Sequence, residues 1–230
     1  MGTSVALPEE LLLLAYDDES GRATGSTIGL DLAMAAAVLV ELALAGRLAY
    51  NGGTMLVTNP APTGEPIADE VLARVAADAP HTPASWVQRL RHGLRERVLG
   101  DLCARNIVCD VDETTMNGYV HLHRYPTIDT SVEAGIRERL TRALVGDETP
   151  DERTAALATL VAAARMEPTL GLPAEEAAAA HERLQQISDF AGFTGSVSME
   201  DSSIRPSVAL VVAVLVKAIQ TALGTAKPTA

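Results

Sequence analysis

The sequence predicts a mainly α-helical fold: a single compact multi-helix domain over residues 1–230 that carries two short β-hairpins. Aromatic residues make up only 3% of the chain, so Ala, Leu and Val must build the core. These residues pack well between close helices and fill a sheet sandwich poorly. Hydrophobic residues at 47% and charged residues at 21% are ordinary for a globular protein, and no internal repeat or long linker divides the chain.

The first part of the chain predicts two helices. Pro8 opens a short helix that ends at Tyr16, because proline suits the first turn of a helix. A second helix, over 27–45, ends before Gly46, a residue suited to a left-handed cap. Its apolar side chains recur at helical spacing on one predicted core face. They are Ile28, Leu32, Ala35, Leu39 and Leu42.

Two hairpins are expected from turn chemistry and alternation. In the first, Asn51-Gly52-Gly53 joins short strands over 47–50 and 54–57. The second spans 107–125 and turns near Asn117-Gly118. Its second strand alternates between two faces. One face carries Tyr119, His121 and His123, and the other carries Val120 and Leu122.

The rest of the chain predicts further helices. One covers 67–77, and a long one covers 83–104 with Thr82 as its cap. Thr130 and Glu133 have the spacing of a capping box at the start of another. The remaining expectations are an end of that helix at Gly146, a helix opening at Thr149-Pro150-Asp151-Glu152 and broken near Pro168, a helix over 173–186, a loop over 192–203, and a final helix from Pro206.

The charge balance argues against nucleic acid as a partner. The chain has 30 acidic and 18 basic residues, a net charge of −12, whereas phosphate binding needs a local surplus of Lys and Arg. Helix, helix and hairpin follow one another over 8–58 as in a winged-helix domain. However, the would-be recognition helix over 27–45 has no Lys or Arg and contains Asp31 and Glu41.

Membrane contact is expected to be peripheral. Glu9 and Glu10 precede the run Leu11–Leu14, where a signal peptide would be basic. The apolar run over 208–216 ends at Lys217 and is shorter than the roughly 20 residues that span a bilayer.

The cysteine count and the choice of basic residues indicate a compartment and a source. With only Cys103 and Cys109 the chain has no disulfide framework, so a reduced cytoplasm is expected. Alanine is abundant, and Lys217 and Lys227 are the only lysines. This bias favours a bacterial protein from a GC-rich genome.

Enzymatic motifs and metal-ligand units are absent from the sequence. There is no phosphate-binding loop, dinucleotide fingerprint or Gly-x-Ser-x-Gly elbow, so we expect neither an enzyme nor a cofactor. His121, His123 and Cys109 lack the spaced ligand pairs of a zinc site, so no metal is expected. Adjacent carboxylates near helix starts are interpreted as solvated charges that favour helix dipoles. They are Glu9/Glu10, Asp17/Asp18 and Glu175/Glu176.

A basic cluster stands out in this acidic chain. On a continuous helix over 83–104, Arg91, His92 and Arg95 share one flank and offer phosphate recognition. Arg97 lies on the opposite flank and is expected to pair with a carboxylate. The alternative interpretation of the cluster is an intramolecular salt-bridge surface. Trp86, on the same helix, is expected in the core or at an interface.

Four segments resemble the Golgi phosphoprotein 3 family, the eukaryotic phosphatidylinositol 4-phosphate readers and their bacterial relatives. Their order and spacing both match, and weaker similarity covers almost the whole chain. The segments are Leu7-Pro8-Glu9-Glu10-Leu11-Leu12-Leu13-Leu14, Val40-Glu41-Leu42-Ala43-Leu44-Ala45-Gly46-Arg47-Leu48, Ala61-Pro62-Thr63-Gly64 with Asp69-Glu70-Val71-Leu72, and Leu94-Arg95-Glu96-Arg97-Val98.

The resemblance implies an α-helical domain, a headgroup pocket for peripheral membrane binding and a β-hairpin that mediates oligomerisation. In eukaryotic members a tryptophan and three arginines form the pocket. Ser26 stands in the tryptophan's place and Ala35 in that of the early arginine. His92 replaces the first arginine of the later helix, whereas Arg95 retains the second.

Two functions follow from these observations. The leading one is non-enzymatic, peripheral binding of a phosphoinositide or another anionic lipid through Arg91, His92 and Arg95 and the adjacent loop Gly21–Thr27. The expected location is the cytoplasm and the inner face of a membrane, with a homo-oligomer formed through the second hairpin. The alternative is a protein-binding adaptor or scaffold without lipid affinity.

Overall fold

A computed structural model describes residues 5–115, 120–146, 149–192 and 205–225. Within these ranges it contains nine α-helices and two antiparallel two-stranded sheets, which confirms the predicted mainly α fold. The elements are α1 (Leu7–Ala15), α2 (Thr27–Leu44), β1 (Leu48–Asn51), β2 (Thr54–Val57), α3 (Pro66–Ala77), α4 (Pro83–Leu90), α5 (Leu94–Ala104), β3 (Val111–Thr115), β4 (Val120–Arg124), α6 (Thr130–Val145), α7 (Glu152–Ala163), a 3-10 turn (Glu167–Leu170), α8 (Ala174–Gly192) and α9 (Pro206–Thr225).

Helix α2 forms the centre of the molecule. It packs against α1, α3, α4, α5, α7 and α9, and four of its buried residues are the alanines Ala33, Ala35, Ala36 and Ala37. Small side chains let helix axes approach closely, which explains how a core with few aromatic residues is filled. Ile28 departs from the predicted core face, because its side chain is 48% exposed in the first turn of α2.

Among the residues that the structure describes, two helices are long and apolar enough to cross a membrane by length and composition alone. They are Thr27–Leu44 and Ser207–Gly224, each 18 residues long. Within the fold, 72% of the first segment and 39% of the second are buried. The central position of α2 is that of a core helix, and α9 packs against α2, α4 and α8.

The first hairpin forms as predicted. Asn51 pairs with Thr54, so Gly52 and Gly53 make up the two-residue turn. Both glycines have positive φ values, 57° and 92°. This combination belongs to the tight turns that match the twist of a hairpin, and glycine adopts it without steric cost.

The predicted long helix over 83–104 is wrong, because the chain breaks it into α4 and α5. Arg91 caps the end of α4, and Gly93 precedes α5 with a left-handed φ of 71°. The break was hidden in the sequence because the core residues keep helical spacing across it. Val87, Leu90, Leu94 and Val98 are all buried, and so is Trp86.

The second hairpin also forms, as the pair β3–β4. His121 lies opposite Thr114 and His123 opposite Asp112. The predicted turn at Asn117-Gly118, together with Tyr119, lies outside the described residues.

The predicted capping box of α6 is wrong. Asp129 is the cap, and its Oδ1 accepts a hydrogen bond from Ser131 N at 3.1 Å. Glu133 is instead only 2% exposed and accepts a hydrogen bond from Arg137 Nε at 2.8 Å. Because Asp129 caps the helix, the Glu133 carboxyl is not needed as a cap and makes its contacts in the protein interior.

Glu133 shares a proton with Asp18 in the loop after α1. Burial, reinforced by the hydrogen bond to Asp18, raises the pKa of Glu133 to about 7. The hydrogen bond from Glu133 lowers the pKa of Asp18. Of the two carboxyls, Glu133 therefore keeps a proton to the higher pH.

The C-terminal helices follow the predicted starts more closely than the predicted ends. Asp151 caps α7 by accepting a hydrogen bond from Thr154 N at 2.7 Å. Helix α8 runs to Gly192, past the predicted end at Gln186. Helix α9 begins at Pro206, as predicted, whereas the predicted loop before it lies largely outside the described residues.

The interpretation of Glu9 and Glu10 as solvated charges is wrong. Both residues are 2% exposed, and each carboxylate pairs with arginine. Glu9 Oε1 lies 2.8 Å from Arg105 Nη1 of the segment after α5. Glu10 Oε2 lies 2.6 Å from Arg139 Nη2 of α6, and Glu10 Oε1 lies 3.2 Å from Arg153 Nε of α7.

Arg153 extends this network to α2 and to the chain before α1. Its Nη1 lies 2.8 Å from Glu41 Oε1, and its Nη2 donates to the carbonyl of Val5 at 2.7 Å. Glu41 Oε2 accepts a hydrogen bond from Leu7 N at 2.9 Å. The network thus ties the start of α1 to α2, α5, α6 and α7.

Replacing Arg153 by Ala is expected to lower the free energy of unfolding by about 1.5–3 kcal/mol, because Glu10 and Glu41 each lose a charge-assisted hydrogen bond while Glu10 keeps Arg139. Urea unfolding followed by circular dichroism measures the change. Arg142→Ala is the matched control, since that side chain is 56% exposed, and it should cost less than about 0.5 kcal/mol. Equal losses in the two variants would show that the network contributes little.

The Glu133 proton is expected to make stability pH-dependent. A carboxyl whose pKa is raised on folding contributes stability that is present below its unfolded value of 4.5 and is lost as the pH rises through about 7. One proton changes the free energy of unfolding by at most about 1.4 kcal/mol per pH unit. Glu133→Gln should flatten the decline, because its amide donates to Asp18 at any pH.

Thermal unfolding at pH values across this window measures the slope. Glu138→Gln is the matched control, since Glu138 lies on the exposed face of the same helix. The same slope in both variants would contradict the shared proton.

Candidate functional site

Two arginines and a histidine lie near one carboxylate at the turn between α4 and α5. Arg95 Nε lies 3.5 Å from Asp31 Oδ1 of α2, and these side chains are 23% and 25% exposed. Arg91 and His92, on the turn itself, also act electrostatically on Asp31. The structure therefore brings Arg91, His92 and Arg95 together, but through the turn at Gly93 and not through helical periodicity.

The charges and hydrogen bonds around Asp31 are only partly compensated. Burial raises the pKa of Asp31, and the positive charges of Arg95, Arg91 and His92 oppose that rise. Asp31 Oδ1 and Arg91 Nε are both buried and make no hydrogen bond within the described residues. Buried polar atoms without a hydrogen bond are uncommon in folded proteins, and each calls for an explanation.

Tyr16 borders the cationic group, at the end of α1. Burial raises the pKa of its hydroxyl, which lies within the electrostatic reach of Arg95 and Asp31. Its ring meets Tyr125 edge to face at 6.2 Å, and Tyr125 stacks on His123 at 6.5 Å. This aromatic row connects the cationic turn to the second hairpin.

The two early positions implied by the family resemblance carry no charged side chain. Ser26 caps α2, and its hydroxyl accepts a hydrogen bond from Gly29 N at 3.2 Å. Ala35 is fully buried. Ile28, between these positions, presents an exposed apolar side chain beside the helix start.

The rest of the basic cluster is engaged within the protein. Arg97 pairs with Glu70 of α3, which confirms the prediction that it meets a carboxylate. Arg89 pairs with Asp78 and lies over the Trp86 ring at 5.8 Å. Sequence reasoning missed Asp31 as the partner of the cluster, although a lone acid early in an apolar helix was a signal.

On the second hairpin, His123 Nδ1 lies 2.8 Å from Asp110 Oδ1, and this hydrogen bond raises the pKa of His123. Cys103 and Cys109 are free thiols. No group of three or more side chains suited to holding a metal occurs among the residues that the structure describes.

The fold and the site together define a helical protein with a cationic turn poised around an internal carboxylate. The chain matches the family model described as Golgi phosphoprotein 3 (GPP34) over residues 7–221. It therefore belongs to the Golgi phosphoprotein 3 family.

A curated relative is named Vacuolar protein sorting-associated protein 74, from Eremothecium gossypii. It is 24% identical to this chain over 168 residues. The match covers 62% of this chain and 50% of the relative, so the chain spans about half the length of that protein.

Loss of the Arg95 charge is expected to raise the pKa of Asp31 further, because Arg95 is its strongest opposing charge. Carboxyl-carbon NMR titration of Arg95→Gln against the wild type measures the shift. Arg97→Gln makes the same charge change two residues away and should leave Asp31 nearly unaffected. An unchanged Asp31 titration in Arg95→Gln would contradict the pairing.

Proposed function

We propose that this protein binds an anionic lipid headgroup of the phosphatidylinositol 4-phosphate type at the surface of a membrane, without catalysing a reaction. Membership of the Golgi phosphoprotein 3 family supports the class of function. The observation that carries the proposal is the position of Arg95. By the family resemblance, it stands where a headgroup-binding arginine is expected. Its side chain is partly exposed, and its one ion pair within the described residues is with Asp31, at 3.5 Å.

Arg95 is suited to exchange Asp31 for a phosphate. A phosphate monoester carries about −1.5 to −2 charges at neutral pH, whereas Asp31 carries at most one. Guanidinium groups bind phosphate through paired, charge-assisted hydrogen bonds. The unfilled Nε donor of Arg91 provides a second contact on the same turn.

The affinity is expected to be modest. Ala35 offers no charge where the family pattern has an arginine, and His92 carries a charge only when it is protonated. A charge-assisted hydrogen bond contributes roughly 1.5–3 kcal/mol, so each lost contact weakens binding about tenfold to a hundredfold. Asp31 competes with the ligand and weakens it further.

The net charge of −12 constrains how the protein docks. An anionic bilayer repels the molecule as a whole, so the cationic turn must face the membrane while the acidic surface points away. Ile28 lies in the first turn of α2, the helix that also carries Asp31, and its exposed side chain suits contact with the bilayer interface.

Two further features belong to the proposal. Residues 1–230 act as one domain, which the continuous hydrophobic core from α1 to α9 supports. The second hairpin, for which the sequence predicts Tyr119, His121 and His123 on one face, forms a homo-oligomer as the family resemblance implies. Its two-stranded sheet leaves strand edges available for pairing.

Vesicle flotation tests the headgroup site. Vesicles contain phosphatidylinositol 4-phosphate, another anionic lipid, or only neutral lipid. The wild type should float with one kind of anionic vesicle, and Arg95→Gln should lose at least about tenfold in affinity. Asp31→Asn should strengthen binding by up to about tenfold, because it removes the internal competitor.

Arg97→Gln is the matched control, with the same charge change on the same helix, and should bind like the wild type. A structural ion pair without a ligand gives a different pattern, in which Arg95→Gln and Asp31→Asn lower the melting temperature and leave flotation unchanged. Failure of every vesicle to bind the wild type would overturn the proposal and favour the protein-binding alternative.

A further inference from the structure

Asp31 is a partly buried carboxyl group whose surroundings disfavour its charge. Burial raises its pKa, and 25% of its side chain is exposed. Arg95 Nε approaches Asp31 Oδ1 to 3.5 Å, but that oxygen makes no hydrogen bond within the described residues. The pair is therefore longer than the usual charge-assisted hydrogen bond between arginine and a carboxylate, which is about 2.7–2.9 Å.

The groups that act most strongly on Asp31 come from three segments of the chain. They are Arg95 and Glu96 of α5, Arg91 and His92 of the turn, and Tyr16 at the end of α1. Burial raises the pKa of Tyr16, so its hydroxyl adds no charge. The two arginines offset the two carboxylates, and a neutral His92 adds nothing. The charges of the cluster therefore cancel near neutral pH.

A phosphate enters this cluster at a cost in electrostatic energy. A phosphate monoester brings about −1.5 to −2 charges, and the cluster has no surplus of positive charge to meet them. An uncompensated charge in a partly buried place is unfavourable. Binding becomes more favourable when a group inside the cluster takes up a proton.

Asp31 is the carboxyl that is suited to take up this proton. Glu96 is exposed, whereas Asp31 is partly buried, so desolvation opposes the charge of Asp31 more strongly. A bound phosphate adds a like charge and engages Arg95, and both changes favour the neutral acid further. An ionised carboxylate only accepts hydrogen bonds, whereas a neutral carboxyl also donates one.

We propose that binding of an anion at the cationic turn is coupled to the uptake of one proton from solvent by Asp31. This inference rests on the proposed function and concerns the regulation of that same site. The neutral carboxyl donates a hydrogen bond to the phosphate that has replaced it beside Arg95. The partial exposure of Asp31 gives the proton a route from solvent.

The coupling makes the contribution of Asp31 to binding favour acidic pH. The effect extends from the pKa of Asp31 in the free protein up to its higher pKa in the complex. Within this range the uptake of one proton changes the affinity by at most about tenfold per pH unit.

Two other groups titrate with the anion, and they act in opposite directions. His92 gains a positive charge on protonation and favours binding at low pH. The phosphate loses negative charge when it takes up its second proton, at a pKa of about 6, and this weakens binding at low pH. Both groups are present in the wild type and in Asp31→Asn, so the ratio of the two affinities isolates Asp31.

Flotation with phosphatidylinositol 4-phosphate vesicles at about pH 7.5 and about pH 5.5 measures this ratio. At the higher pH, Asp31→Asn should bind up to about tenfold more tightly than the wild type, because the amide already resembles the neutral acid. At the lower pH, the two proteins should bind equally, because the wild type acquires the proton.

Glu96→Gln is the matched control. It removes one negative charge beside Arg95, from an exposed side chain. It should strengthen binding by a similar factor at both pH values, since the loss of a fixed charge does not depend on pH in this range.

Carboxyl-carbon NMR provides a second measurement on the wild type. The pKa of Asp31 should be higher in the presence of saturating glycerophosphoinositol 4-phosphate, the soluble headgroup, than in the free protein. An equal or lower pKa in the complex would overturn the coupling.

The outcomes separate this inference from the proposed function. If the affinity ratio of Asp31→Asn to wild type is the same at both pH values, the coupling is wrong, while Arg95-dependent flotation still supports headgroup binding. If the wild type floats with no anionic vesicle at either pH, the proposed function fails and the coupling fails with it.

Discussion

The arrangement of helices depends on two carboxylates buried at the start of the first helix. Glu9 and Glu10 reach arginines that follow or lie in α5, α6 and α7, and Arg153 passes the connection on to Glu41 of α2. A buried carboxylate without a partner is costly, so each arginine must be in place for the fold to close. These ion pairs hold five helices in one relative position. The small and medium apolar side chains of the core would by themselves define the relative positions of the helices less precisely.

This anchoring fixes the end of α1 and therefore the loop that follows it. Asp18 lies on this loop beside Glu133, and the loop leads directly into α2, which places Asp31 Oδ1 3.5 Å from Arg95 Nε. The cationic turn is thus occupied by a carboxylate of the protein itself. Under the proposed function, an outside anion exchanges with this internal carboxylate, and the strength of the internal pair sets how highly charged the incoming group must be.

Local sequence patterns predicted most of the fold, because helix starts, helix ends at glycine and the Gly52-Gly53 turn are determined by residues that are close in sequence. Features that depend on distant partners were missed. The burial of Glu10 depends on arginines 129 and 143 positions away, and no local pattern reveals them. The break at Gly93 was concealed because Leu90 and Leu94 keep helical spacing. The cluster of Arg91, His92 and Arg95 was found, but its carboxylate partner Asp31 was not.

The break at Gly93 also places the core-packing residues and the charged residues on different segments, whereas a continuous helix would carry both. The core residues lie on α4 and α5 themselves, whereas Arg91 and His92 lie on the connection between them. Residues inserted into or removed from this connection leave the packed faces of both helices in register. The charged surface is therefore free to change in length and composition without repacking the interior, and one scaffold can in this way be adapted to anions of different size.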